Sequence, residues 1–273
     1  MSLLRRHALL VDQGLDPDAE AFLIAISNTD SVIESAIDKL FKGLKSNGIY
    51  SKMLAFYPFV GGTANSHKFN MVNPVDSDAA FRLTFTGTWT HNSNGALPSS
   101  SYANTFFNPF VEKGGDLFLG SFFYSVTDAT TGTDQVDFGA RESVNNFWGS
   151  IRYNGYGFDN ILGRNTSSVS SLILDGGTVT DSLGLIQIHR TLETGLNTAA
   201  LYKNNTQLDT NTNNAGQPNI DIYLGAFNLN GTPSLYTNRQ CAAFGICDGL
   251  NSSQASILYT LIQNFQTTLG RQV

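Results

Sequence analysis

The chain has 273 residues, a net charge of −6 and 14% charged residues, against roughly 25% in an average soluble domain. Neutral polar residues take the place of charge: 26 Asn, 25 Ser and 25 Thr, beside 26 Gly. This excludes a helical bundle or coiled coil, and the acidic balance excludes a phosphate-neutralising nucleic-acid surface. No apolar run approaches the ~18 residues of a membrane span. The opening stretch 3–11 is too short and interrupted for a secretory signal.

In chain order, Leu3, Leu4, Leu9 and Leu10 flank the basic pair Arg5-Arg6. This arm has no partner in the predicted core and suits docking into a neighbouring subunit; a frayed terminus is the plain alternative. Asp16-Pro17 opens a helix with Asp16 as its cap, and Phe22, Leu23 and Ile26 form its apolar side. A second helix is predicted from Thr29 or Asp30, carried by Val32, Ile33, Ile37, Leu40, Phe41 and Leu44, and ended by Asn47-Gly48.

From about residue 54, short apolar or alternating runs are separated by Gly, Asn, Ser and Asp. Phe81, Leu83 and Phe85 alternate with polar residues. Further strands are predicted over 117–126, 135–140, 147–153, 169–174, 185–190, 199–203, 220–227 and 240–247. Asn204-Asn205 reads as a hairpin turn. The serines at 99–101 and the stretch 210–218 read as polar loops. About ten strands without alternating helices predict a mainly β, antiparallel jelly-roll sandwich. Cys241 and Cys247 lie in one strand about 20 Å apart, too far for a disulfide, and are expected as buried free thiols. A C-terminal helix over 252–269 starts at a capping box, Asn251 with Gln254. Residues 1–53 are thus read as an arm plus helical segment, and 54–273 as the jelly roll with its C-terminal helix.

The order of several segments carries a resemblance. Tyr57-Pro58-Phe59-Val60-Gly61-Gly62-Thr63 and Ser66-His67-Lys68-Phe69-Asn70 are followed by Ala79-Ala80-Phe81-Arg82-Leu83 and Gly87-Thr88-Trp89-Thr90-His91. Tyr223-Leu224-Gly225-Ala226, Ala243-Phe244-Gly245-Ile246 and Asp248-Gly249-Leu250 come near the end. Over roughly residues 12–271 the sequence resembles bacteriophage virion proteins with a concanavalin A-like, laminin-G-like jelly-roll domain. The resemblance implies a virion localisation in tail, fibre or capsid surface, contacts with other virion proteins, and a homo-oligomeric or multicopy assembly. It defines no site residues.

The concanavalin A-like fold also houses glycosidases, one retaining family of which uses two Glu five positions apart along a strand. The five Glu here, at 20, 34, 112, 142 and 193, contain no such pair. Asp134, Asp137 and Glu142 are the nearest acidic cluster, with Asp137 and Glu142 on opposite strand faces. Nucleophile elbow, P-loop and zinc-protease motifs are absent, so no catalytic residue is assigned and no enzyme is expected. Asp16-Pro17-Asp18 and Asp76-Ser77-Asp78 resemble the start of a calcium loop but lack its Gly; no cofactor is assigned. Sugar recognition needs exposed aromatics with Asn or Asp beside them. Trp148, Tyr153 and Tyr156 are the candidate contacts for a host-surface glycan, with Trp89 and His91 a second aromatic place. The expected function is a structural virion component acting through protein–protein contacts. A glycan-binding adhesin is the alternative, ahead of a glycan-degrading enzyme.

Overall fold

A computed structural model describes residues 14–114, 118–129, 134–154, 160–166, 174–193, 196–212 and 216–273. Side-chain caps start the helices. Asp16 accepts from the N–H groups of Asp18 and Ala19 ahead of α1 (Pro17–Ala25). Asp30 accepts from Val32 and Ile33 ahead of α2 (Ser31–Ser46). Single turns form α3 (Ala64–His67) and α4 (Pro109–Lys113). The reciprocal capping box of Asn251 and Gln254 starts α5 (Ser252–Thr268), as its spacing predicts.

Fifteen strands lie among the described residues. They are β1 (Met53–Tyr57), β2 (Thr84–Asn92), β3 (Gly95–Asn104), β4 (Leu119–Ser125), β5 (Phe138–Glu142), β6 (Asn145–Tyr153), β7 (Asn160–Thr166) and β8 (Leu174–Thr178). Then follow β9 (Gly184–Glu193), β10 (Leu196–Lys203), β11 (Thr206–Asn211), β12 (Tyr223–Leu224), β13 (Phe227–Leu229), β14 (Thr232–Ser234) and β15 (Cys241–Asp248). They hydrogen-bond in the order β11-β10-β9-β4-β15-β3-β12-β5-β6-β7-β8, with β1 on β15, β2 on β3 and β13 between β14 and β5. All pairings are antiparallel except β13 with β5. At the two ends of this path β8 lies against β10 and β11, and β6 and β7 lie against β9. The sheet therefore curls into two facing layers, a mainly β jelly-roll sandwich with a few helices.

Departures from the predicted strands have local causes. The run 220–227 is divided between β12 and β13 at Gly225, whose φ of +85° turns the chain. Phe81 is not in a strand: it takes a φ of +57° after a single turn at 78–80, and β2 begins at Thr84. The serines at 99–101 lie within β3, where the register shifts and Ser101 Oγ accepts from Thr88 N at 2.7 Å. Asn204 makes the expected tight turn, with a φ of 49° between β10 and β11. Of the predicted strand 169–174, residues 169–173 lie outside the described residues.

The strands β4 and β15 are buried on both faces, which explains their unbroken apolar runs. One face meets the helices: Phe22, Ile37, Phe41 and Leu258 pack with Phe56, Phe122, Tyr124 and Cys247. The other lines the sandwich: Tyr57, Phe123, Phe138, Phe244 and Ile246 pack with Cys241. Each such large side chain contributes about 1.5–3 kcal/mol by leaving water. The two cysteines thus serve opposite layers, and both are buried free thiols.

Candidate functional site

Among the described residues β2 pairs with β3 alone, so the hairpin of β2 and β3 forms a sheet edge. Its tight turn closes on Asn92, whose Oδ1 accepts from Asn94 N at 2.8 Å, and on Gly95 at φ +125°. A Cβ at Gly95 would lie 2.1 Å from the Cys241 carbonyl oxygen, so glycine lets β15 approach the turn.

Register decides which side chains share a face. Thr84 and Thr86 oppose Asn104 and Tyr102, and Tyr223 of β12 opposes Asn104 from the other side. The alternation of a strand therefore brings Thr84, Thr86, Tyr102, Asn104 and Tyr223 onto one surface. The Tyr102 and Tyr223 rings stack with centroids 4.4 Å apart and planes 23° apart. Both are half-buried and Thr86 is exposed. Asn104 Nδ2 donates to Asp221 Oδ2 at 2.9 Å, and Asn104 Oδ1 accepts from Phe106 N at 2.9 Å. Burial, then the neighbouring Tyr102 and the Asp221 charge, raise the Tyr223 pKa, so its hydroxyl stays protonated at neutral pH. The result is a face-to-face aromatic pair, each ring covering one face of the other, edged by a fixed amide, a carboxylate and threonine hydroxyls.

The opposite face of β2 carries Phe85, Trp89 and His91. Phe85 meets Trp89 at 5.1 Å and His91 at 4.7 Å, and Trp89 stacks along His91 at 6.2 Å. Trp89 Nε1 donates to the carbonyls of Thr86 and Tyr102, both at 3.3 Å. The indole lies over Gly225, where a Cβ would come within 2.9 Å of it. Trp89 is therefore a half-buried strut of the hairpin. His91 Nδ1 lies 2.9 Å from Nδ1 of His67 on α3. Burial, then the charges of His91 and Arg271, push the His67 pKa down to about 3; burial lowers that of His91.

The structure brings Trp148 and Tyr153 together, with centroids 5.7 Å apart, but covers Trp148. Phe227 meets its ring at 6.1 Å, Val136 and Leu235 close the cluster, and 7% of Trp148 is exposed. That leaves the indole no open face for a sugar. Tyr153 donates to Asp134 Oδ2 at 3.2 Å. Tyr156 lies outside the described residues, as do Leu3, Leu4, Arg5, Arg6, Leu9 and Leu10.

The acidic candidates are engaged. Asp137 is fully buried, bonded to Arg239 Nη1 at 2.8 Å, Thr237 Oγ1 at 2.7 Å and Ile151 N at 2.7 Å. Glu142 accepts from Asn219 N at 3.1 Å. Asp16 meets Lys45 at 2.6 Å, while Asp76 meets Lys68 and Asp78 meets Arg82, both also at 2.6 Å. Lysine and arginine thus stand where a calcium ion would be wanted.

Sequence separation concealed one pair. His189 Nδ1 lies 4.0 Å from Cys247 Sγ, although 58 positions separate them. Burial pushes the thiol up and the imidazole down to about 3, so both stay neutral and the pair lacks an activated thiolate. A cavity of about 500 Å³ opens between the α1–α2 turn and the Gly61-Gly62-Thr63 turn, with Asn28, Thr29, Ser66 and Arg271 in its lining. The Arg271 guanidinium gives the cavity no free donor. All five of its N–H groups are accounted for by Gln266 Oε1 and the carbonyls of Pro58, Phe59, Ser93 and Ala242.

No protein-family model matches the sequence, and no curated protein sequence matches it significantly. Among solved structures, the chain is similar to domain 4 of AbnA, a GH43 extracellular arabinanase from Geobacillus stearothermophilus. That likeness has 18% identity and a TM-score of 0.45, over 76% of this chain and 98% of that one. It is similar to the botulinum neurotoxin serotype D binding domain at 14% identity and a TM-score of 0.49, over 78% and 52% of the two chains. The CBM40 of the Ruminococcus gnavus IT-sialidase matches at 14% identity and a TM-score of 0.36, over 55% and 86%. At these scores the likenesses establish neither a family nor a shared site.

Proposed function

We propose that the chain is a glycan-binding module whose platform is the sheet face of Tyr102 and Tyr223. The stacked tyrosine pair carries this reading. The outer faces of the pair, turned away from each other, offer rigid apolar surface to the C–H face of a sugar. Asn104, Asp221 and Thr86 supply amide, carboxylate and hydroxyl groups at its edge to orient sugar hydroxyls. Binding without hydrolysis is part of the proposal, supported by the ion pair that occupies Asp137. The sequence resemblance over residues 12–271 supports a phage virion as the setting. The ligand is then a host-surface glycan, and multiple copies would strengthen weak single contacts. A purely structural virion role is the second reading, and the same resemblance is its support.

The test is a glycan array followed by calorimetry on the best ligand. Tyr223→Ala is expected to weaken binding about tenfold, equal to about 1.4 kcal/mol, and Tyr102→Ala similarly. Trp148→Tyr should leave affinity unchanged. An intact protein that binds no glycan, or a folded Tyr102→Ala/Tyr223→Ala variant that binds as tightly as the original, overturns the reading in favour of the structural one.

A further inference from the structure

We propose that the glycan-binding face extends past the tyrosine pair to Phe106, so that its ligand is a linear, uncharged oligosaccharide held over several sugar units. This deepens the glycan-binding reading and depends on it. Beyond β3 the chain stays beside the segment that leads into β12. Thr105 N donates to the Ile222 carbonyl at 3.2 Å, and Ile222 N donates to the Phe107 carbonyl at 3.0 Å. Both bonds use Ile222, so Phe106 sits on a bulge, with a φ of +56°. That left-handed conformation is costly for an aromatic residue. Packing does not account for it. Phe106 is half-buried, joins none of the hydrophobic clusters, and meets no other aromatic ring among the described residues. A strained aromatic residue left partly open is a feature of ligand sites.

Tyr102, Asn104, Phe106 and Asn108 are partly exposed, while each residue between them is buried. They form a row that begins at the tyrosine pair. Asn104 Oδ1 accepts from Phe106 N at 2.9 Å, and past it Asn108 Nδ2 donates to Asn219 Oδ1 at 3.1 Å. At about 3.3 Å per residue, the Cα atoms of Tyr102 and Phe106 lie up to about 13 Å apart. One sugar ring, about the size of one tyrosine ring, cannot rest on both. A chain of linked sugars can, with Asn104 and Asp221 meeting its hydroxyls between the two aromatic positions. Charge defines the class of sugar. Residues 84–110 contain no Lys, Arg, Asp or Glu, and residues 216–227 contain Asp221 alone. Anionic sugars are gripped through Arg or Lys. Neither segment offers one, and the single charge present repels a carboxylate or sulfate.

The experiment is calorimetry on the full chain with neutral gluco-, manno-, xylo- and arabino-oligosaccharides, each as di-, tetra- and hexasaccharide. Oligogalacturonides of the same lengths are the anionic set. In the series bound best, affinity is expected to rise about tenfold from di- to hexasaccharide, and oligogalacturonides should bind at least about tenfold more weakly. Phe106→Gly suits the left-handed backbone. It should abolish the rise and leave disaccharide affinity unchanged, whereas Phe106→Trp should keep the rise. If Phe106→Gly does not fold, Phe106→Asn, which also tolerates that backbone, gives the same readout. Tyr223→Ala should weaken binding at every length. Equal affinity for di- and hexasaccharides, a folded Phe106→Gly chain that keeps the rise, or oligogalacturonides bound as tightly as neutral chains overturns this inference and leaves the tyrosine platform standing. Failure to bind any glycan overturns the platform itself.

Discussion

Arg239 and Arg271 are both buried cations, 0% and 5% exposed, and the fold accommodates them in different ways. Arg239 faces the carboxylate of Asp137 at 2.8 Å, and Asp137 is itself bonded to Thr237 and to the main chain of Ile151. That site is electrically neutral. Arg271 instead donates to dipoles, four main-chain carbonyls and the Gln266 amide oxygen, with the Phe265 ring 5.6 Å from its guanidinium. Burial pulls its pKa down to about 10, so it stays charged at neutral pH. The ion pair confines its charge. The carbonyl cage leaves its charge to act on neighbours, and His67 is one of them. An ion pair is broken by losing one partner, a carbonyl cage by losing geometry.

Substitutions can break this contrast, and the largest effect falls on the pair. Asp137→Asn strands a buried guanidinium and should cost about 3–5 kcal/mol in urea unfolding. The double change Asp137→Leu with Arg239→Met should cost less than the single one, because no charge is left behind. Arg271→Lys keeps the charge but offers three donors from a point, leaving buried carbonyls unmet. A loss of about 2 kcal/mol is expected, with the fold retained by circular dichroism.

Acid sharpens the comparison next. Burial first, with smaller charge effects at His67, holds His67 and His189 at about 3 in the folded chain. The unfolded value is about 6.5. The unfolded state therefore binds more protons between these values. Stability is full above pH 6.5 and falls as pH drops toward 3, by about 1.4 kcal/mol per unit for each group. Unfolding measured from pH 7 to 4.5 should show this slope. Arg271→Met should raise the His67 pKa, read by NMR, whereas Arg239→Met should not. The smallest effect serves as a control. Asn251→Ala removes the α5 cap at the end remote from Arg271 and should cost about 1 kcal/mol, with the His67 titration unmoved.

Local signals made the helices legible. Asp16, Asp30 and Asn251 cap the helices they announce, because a cap acts within three residues. Long apolar runs such as Leu119–Ser125 and Cys241–Asp248 were likewise readable as strands, since burial on both faces removes alternation. Positive-φ turns hid the rest. Phe81 fits strand alternation, yet its left-handed conformation ends a turn, and no residue-type signal marks it. The candidate platform was out of reach for a different reason. Tyr102 and Tyr223 lie 121 positions apart and meet only because β3 pairs with β12. The aromatic-rich segment Phe147 to Tyr153 gave a local signal, but Phe227 comes from far along the chain to cover Trp148.

The reach of Arg271 also bears on when the molecule is finished. Its guanidinium joins carbonyls of Pro58 and Phe59, 213 and 212 positions earlier. At about 5–20 residues per second on the ribosome, the Pro58-Phe59 segment waits about 10–40 s for its latch. During that interval β1 lacks β15 as well, since β15 is also made late. The first two helices are thus synthesised long before the sheet they cover. Truncation before residue 271 would therefore leave the Pro58-Phe59 turn without the guanidinium that joins its carbonyls.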